Sequence, residues 1–249
     1  MKAFLTLSSL IVGGILVPQM SQASTPVEVQ VPVENVYTPK GFDSNDRAEV
    51  VISGYLPNLC HRSPFSKVRK VGKSIQVELS SLYYEPNNPF CAQMIVPFLE
   101  TVQVGVLEKG DYEVIVNGGT QDKQRSVLTI TEAKQNSVDD YVYAGVEYVD
   151  KSAADSTVTL KGYNPSDCYA FDEVVSVSNN KDTYAVLPKM KQVYSFCPMK
   201  MIPFSYQYRV PKDLEEKKVL LHVRSMNGKS VNSVYDFNQS NPNDDNRPE

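Results

Sequence analysis

Gly54-Tyr55-Leu56-Pro57-Asn58-Leu59-Cys60 and Gly162-Tyr163-Asn164-Pro165-Ser166-Asp167-Cys168 share the pattern Gly-Tyr-x-Pro-x-x-Cys. About thirty residues beyond each stands a second cysteine, again in matching context. Cys91 leads to Pro97-Phe98 and Cys197 to Pro203-Phe204 at the same offset. Two motifs repeated in one order at near-equal spacing mark a tandem duplication with one cysteine pair per copy. The copies are placed at 24–133 and 139–236, with the polar stretch 134–138 as linker and a polar tail, expected to be disordered, at 237–249.

Outward from the motifs the periodicity is that of strands. Val27-Glu-Val-Gln-Val alternates apolar and polar residues, and so do 49–53, 74–79, 101–106, 112–116 and 126–130. The second copy offers 141–148, 157–161, 173–177, 206–210 and 219–223. Turn-formers such as Pro86-Asn87-Asn88-Pro89, Asn117-Gly118-Gly119 and Asn227-Gly228 separate them. No helical stripe of twelve residues is present. About seven short strands per copy predict an all-β chain of two tandem immunoglobulin-like β-sandwich domains, one disulfide each.

The N-terminus sets the compartment. Met1-Lys2, an apolar stretch from Leu5 to Val17 and the small residues at Ser21 and Ala23 read as a signal peptide over 1–23. The apolar stretch is short of the ~20 residues that span a bilayer, and no later stretch is a transmembrane candidate. An exported chain, periplasmic or extracellular, meets an oxidising environment, where four cysteines read as disulfides. The duplication selects Cys60 with Cys91 and Cys168 with Cys197 among the three pairings. A zinc site usually brings cysteines in close pairs, and these are far apart, so no metal is expected.

Pro57 before Cys60, Cys91 before Pro97-Phe98, and Leu107-x-x-Gly110-x-Tyr112-x-Val114-x-Val116-Asn117-Gly118 form a combination that is similar to one found in exported bacterial proteins of no assigned activity. Those domains resemble immunoglobulin-like sandwiches, and the resemblance implies no catalytic residues. Two departures from true immunoglobulin domains stand out. The chain has no tryptophan to pack on a disulfide, and the cysteines are too close in sequence for an inter-sheet bridge. The bridge is therefore expected to pin a loop to the start of a strand.

Chemistry-bearing motifs are missing. There is no Gly-x-Ser-x-Gly, no His-Glu-x-x-His and no P-loop, and nothing calls for a cofactor. His61 falls in a loop, and His222, alternating with Leu221 and Val223, is expected to face solvent. Asp139-Asp140, Glu215-Glu216 and Asp244-Asp245 are adjacent in sequence, and neighbours on a strand point to opposite faces. A formal net charge of −4 without a basic bias leaves no nucleic-acid footprint.

Two segments can bind. Tyr83, Tyr84 and Phe90 bracket a proline-stiffened stretch tethered by Cys91, matched in the second copy by Tyr194 and Phe196 before Cys197. Aromatics on restrained loops are a recognition device; otherwise they shield the disulfide. Arg62, Lys67 and Arg69, with Lys70 and Lys73, form a basic cluster that meets an anionic surface or serves as a solvated edge strand. The chain is expected to be a non-enzymatic interaction or structural module of the bacterial periplasm or cell surface, with a protein or cell-envelope component as partner. The alternative is a periplasmic enzyme or enzyme inhibitor whose site is assembled in space.

Overall fold

Alternating sequence becomes strand in both copies. The computed structural model describes residues 25–84, 90–136, 138–151, 156–214 and 216–237; residues 1–24, where a signal peptide is expected, the segment 85–89 and the tail beyond Phe237 lie outside them. The first copy holds β1 (Val27–Gln30), β2 (Val33–Tyr37), β3 (Phe42–Asp43), β4 (Ala48–Leu56), β5 (Phe65–Val71), β6 (Ser74–Tyr83), β7 (Val96–Gly105), β8 (Gly110–Val116) and β9 (Gln124–Thr131). The second holds β10 (Val146–Lys151), β11 (Thr157–Asn164), β12 (Tyr169–Ser178), β13 (Thr183–Gln192), β14 (Ile202–Arg209), β15 (Lys218–Ser225) and β16 (Lys229–Asp236). Among the described residues the only helical element is a 3-10 turn at Met226–Gly228.

Each copy is two sheets. A three-stranded antiparallel sheet, β2-β4-β7, recurs as β10-β11-β14. A larger sheet, β1-β6-β8-β9-β3 with β5 also on β6, recurs as β12-β13-β15-β16. The larger sheets share a parallel pair, β6 with β8 and β13 with β15, and the first has a second in β3 with β9, whereas the sheets of an immunoglobulin sandwich are antiparallel. Val50, Ile52, Ile75, Leu79, Val114 and Leu128 fill the first core; Val158, Leu160, Val186, Val219, Leu221 and Val223 fill the second.

The repeated motifs are cross-strand partners. Gly54 lies opposite Phe98 and Tyr55 opposite Pro97; Gly162 lies opposite Phe204 and Tyr163 opposite Pro203. Each glycine sits where the neighbouring strand has a bulge, between Val33 and Asn35 or between Val146 and Tyr148. A Cβ on Gly54 would fall 2.2 Å from the Pro32 carbonyl oxygen, and one on Gly162 would fall 2.0 Å from that of Gly145. Only glycine admits so close a backbone approach.

Strand parity then joins the copies. On β4, Ala48, Val50 and Ile52 enter the first core, so Glu49 and Val51 face the other way. On β15, Val219, Leu221 and Val223 enter the second core, so Leu220, His222 and Arg224 face the other way. These two outer faces meet. Tyr37, Val51 and Leu220 form a small apolar cluster with Leu99 and Val234 packed on it. The four sheets therefore follow one another as layers, and β2-β4-β7 is covered on both sides.

His222 corrects the sequence expectation. It is fully buried, because the face opposite Leu221 and Val223 is covered by the first copy and not by water. The strand expected over 141–148 begins only at Val146, with Tyr143 making an isolated bridge to Lys189. β13 escaped the periodicity because it is buried along most of its length and contains Pro188. That proline lies beyond the four residues paired with β15, where its missing N–H disrupts no bond to that strand.

Candidate functional site

Both disulfides form as the duplication implies, with Cα separations of 5.8 Å for Cys60–Cys91 and 5.3 Å for Cys168–Cys197. Neither crosses a core. Cys60 and Cys91 both lie in loops, after β4 and before β7, whereas Cys168 immediately precedes β12 and Cys197 lies in the loop before β14. The bridge thus pins a loop to a strand start in the second copy only.

The residue two before the first cysteine builds the same turn in both copies. Asn58 Oδ1 accepts from the Cys60 N–H at 3.0 Å, and Ser166 Oγ accepts from the Cys168 N–H at 3.1 Å. These are side-chain-capped turns, which Asn makes and Ser makes more weakly. Backbone bonds then stitch each loop down: Leu59 N–H to the Ala92 carbonyl at 3.1 Å, Tyr84 N–H to Cys60 at 2.9 Å, Val193 N–H to Cys168 at 2.7 Å and Lys200 N–H to Pro165 at 3.0 Å.

From this restrained base large apolar side chains project outward. Phe90 is 89% exposed and its counterpart Phe196 is 83% exposed, each immediately before the bridging cysteine. Met94 and Ile95 extend the first loop; Tyr194, Met199 and Met201 extend the second, with Met199 at 98%. Tyr83 and Tyr84 differ from Phe90. Tyr83 is half-buried at the end of β6 and stacks on His61 with centroids 4.6 Å apart; Tyr84 is half-buried with the Arg62 guanidinium 5.0 Å from its ring centre. His61 also meets Ser81 Oγ through Nδ1 at 2.6 Å, and burial lowers its pKa. The segment between Tyr84 and Phe90 lies outside the described residues.

Of the basic cluster, Lys67, Arg69 and Lys70 lie on the exposed edge strand β5, with Arg62 before it and Lys73 in the turn after it, and most of the cations are engaged. Among the described residues β5 pairs only with β6. Lys67 pairs with Glu28 at 2.6 Å, Arg69 donates to Gln76, and Lys70 and Lys73 donate to the carbonyls of Val104 and Lys109.

The polar groups that converge most tightly lie between the copies, where sequence reading saw nothing. Arg224, almost fully buried, donates through Nη1 to Asp46 at 3.3 Å and through Nη2 to Asp139, with its guanidinium 4.9 Å from the Phe42 ring centre. Burial opposes the charge of Arg224, and Asp46 and Asp139 more than offset it. Burial, with Asp46 nearby, pushes Asp43 up to about 6. Beside them His222 Nδ1 meets Asn232 Oδ1 at 2.9 Å and lies 3.4 Å from Glu49. Glu49 also accepts from Gln103, Ser230 and Asn232. Burial lowers the His222 pKa, with Glu49 and Asn232 working against it. Asn35 donates to Asp182 at 3.0 Å farther along the same junction.

This arrangement is a fastening. Its carboxylates surround a buried guanidinium, and its histidine is sealed from solvent between two sheets. A cleft of about 780 Å³ opens nearby, lined by Tyr37, Phe98, Lys151, Lys181, Asp182 and Lys218 among others. Two of its cations have partners, Lys181 in Asp182 and Lys151 in the Val234 carbonyl. The sequence signals for the buried junction were Val51 and Leu220, apolar residues on strand faces opposite the cores.

Among the described residues no helix is long and apolar enough to cross a membrane, and no group of three or more His, Cys, Asp or Glu could hold a metal ion. No curated protein and no solved structure matches the chain. A family model described as the ORF11 beta-sandwich domain does match, over residues 50–127, which run from β4 into β9 and make that stretch similar to a β-sandwich of that family.

Proposed function

We propose that the chain is an exported, non-enzymatic interaction module of the bacterial periplasm or cell surface, built from two immunoglobulin-like sandwiches, with the two disulfide-held loops as its contact surface. One observation carries this reading: both copies place a phenylalanine immediately before the bridging cysteine and leave it exposed. The shared Gly-Tyr and Pro-Phe residues have a packing reason, since they are cross-strand partners in both copies. The phenylalanines instead present their rings to the outside, and an aromatic on a restrained base loses little entropy on binding. The N-terminal export signal and the two disulfides suit an oxidising compartment.

The test is capture of envelope components by the mature protein, compared with the Phe90→Ser/Phe196→Ser double variant. The variant is expected to melt with the wild type and to lose capture. Unchanged capture, or an early melt in place of lost capture, would make the loops structural.

A further inference from the structure

We infer that the second-copy loop, residues 193–201, is an insertion loop that enters the interfacial region of an anionic lipid bilayer, an inference that rests on the loops being the contact surface. Three features of the loop select this occupant. The first is chemical. Val193, Tyr194, Phe196, Met199 and Met201 are all exposed, five large apolar side chains in one short segment. Unbranched methionine and flat aromatics adapt to an irregular environment, and tyrosine carries a hydroxyl that remains hydrated at the headgroup level.

The second is shape. Protein-recognition pockets are concave, and their anchoring residues are packed by neighbouring side chains. Met199 and Phe196, at 98% and 83% exposure, have almost no protein around them. Side chains that project so far lose contact with water when the partner surrounds them, as a fluid acyl-headgroup boundary does along the whole segment without a preformed pocket for each.

The third is charge. In a mildly acidic chain, the only charged residue within 193–201 is Lys200, so no carboxylate there opposes a negative surface. The neighbouring Lys191 is paired with Asp172 at 3.1 Å. The base of the loop is held by the bridge to Cys168 and by the Val193 and Lys200 backbone bonds, so insertion does not require the sandwich to open. Phe90, Met94 and Ile95 give the first copy a shorter version of the same device, without a charged residue between 90 and 96.

Co-sedimentation of the full mature protein with vesicles tests this, using pure phosphatidylcholine and phosphatidylcholine with a third phosphatidylglycerol. Binding is expected to both, stronger by about fivefold on the anionic vesicles. Phe196→Ser/Met199→Ser should weaken it at least roughly tenfold with an unchanged melting midpoint. Lys200→Gln should abolish most of the anionic increment and leave binding to the neutral vesicles intact. Sedimentation that the double variant does not weaken overturns the inference. No sedimentation on any vesicle, while capture of an envelope protein still depends on Phe90 and Phe196, overturns the lipid partner and leaves the interaction module standing. Absence of both overturns the two together.

Discussion

His222 shows what a single residue's environment does to its chemistry. Burial between sheets disfavours the cation of its ring and lowers its pKa, and among the described residues no partner reaches Nε2. A proton on that nitrogen would have nowhere to bond. The sign of the consequence follows from linkage. In the unfolded chain the ring takes a proton at its ordinary pKa, whereas in the fold it resists, so its contribution to stability falls as pH drops below about 6.5. Asp43, raised to about 6, acts in the opposite direction: it gains a proton in the fold while the unfolded carboxylate is still charged. Comparison with His222→Gln isolates the histidine. Between pH 7 and pH 5 the wild type should lose stability relative to the variant, by at most about 1.4 kcal/mol per pH unit, in urea midpoints measured at each pH. A constant difference across that range would mean the ring is solvated. Parity on β15 was legible from the sequence; what covered the second face was not, because alternation reports direction and not the neighbour.

At the scale of elements, the repeated glycines are the positions where local sequence and tertiary geometry meet. Their recurrence identified the duplication, but the reason for it needed the register: β2 and β10 bulge against them, and a carbonyl occupies the space of a side chain. Gly54→Ala and Gly162→Ala are each expected to destabilise by roughly 1–3 kcal/mol, the cost of overpacking a site that must shift backbone. Gly119→Ala, which meets nothing within 4 Å, should be close to neutral in the same urea titration. Equal effects at all three would remove the close approach as the cause. Strands with clear alternation, such as β8 and β15, were legible in advance. β2, β5, β13 and β16 were not, for reasons that differ: β5 is a polar edge, and β13 is covered on both faces and so shows no alternation. The bridging loops were legible as pairs of cysteines with aromatics beside them. Which aromatics project was not, since Tyr83 is held by a stacking histidine seen only in three dimensions.

For the whole molecule, the duplication accounts for two sandwiches and the junction accounts for their being one object. Among the described residues the sheets exchange no strands between the copies, so each core is built from its own sequence. Yet Glu49, Val51 and Tyr37 from the first copy close over Leu220, His222 and Arg224 from the second. Junctions of this kind combine little apolar area with buried charge, and buried charge makes them intolerant of losing one partner. The loops carry the proposed contact outward, and the junction fixes how the two copies present them.

The contact between Asp46 and Arg224 tests that account most directly, through a double-mutant cycle of Asp46→Asn and Arg224→Met on the full chain, read by urea unfolding. Arg224→Met alone is expected to cost roughly 3–5 kcal/mol, because it leaves two buried carboxylates without their cation. The pair should couple by about 0.5–3 kcal/mol, as residues in contact do. Strictly additive effects would contradict a junction in which one copy's carboxylate holds the other's guanidinium.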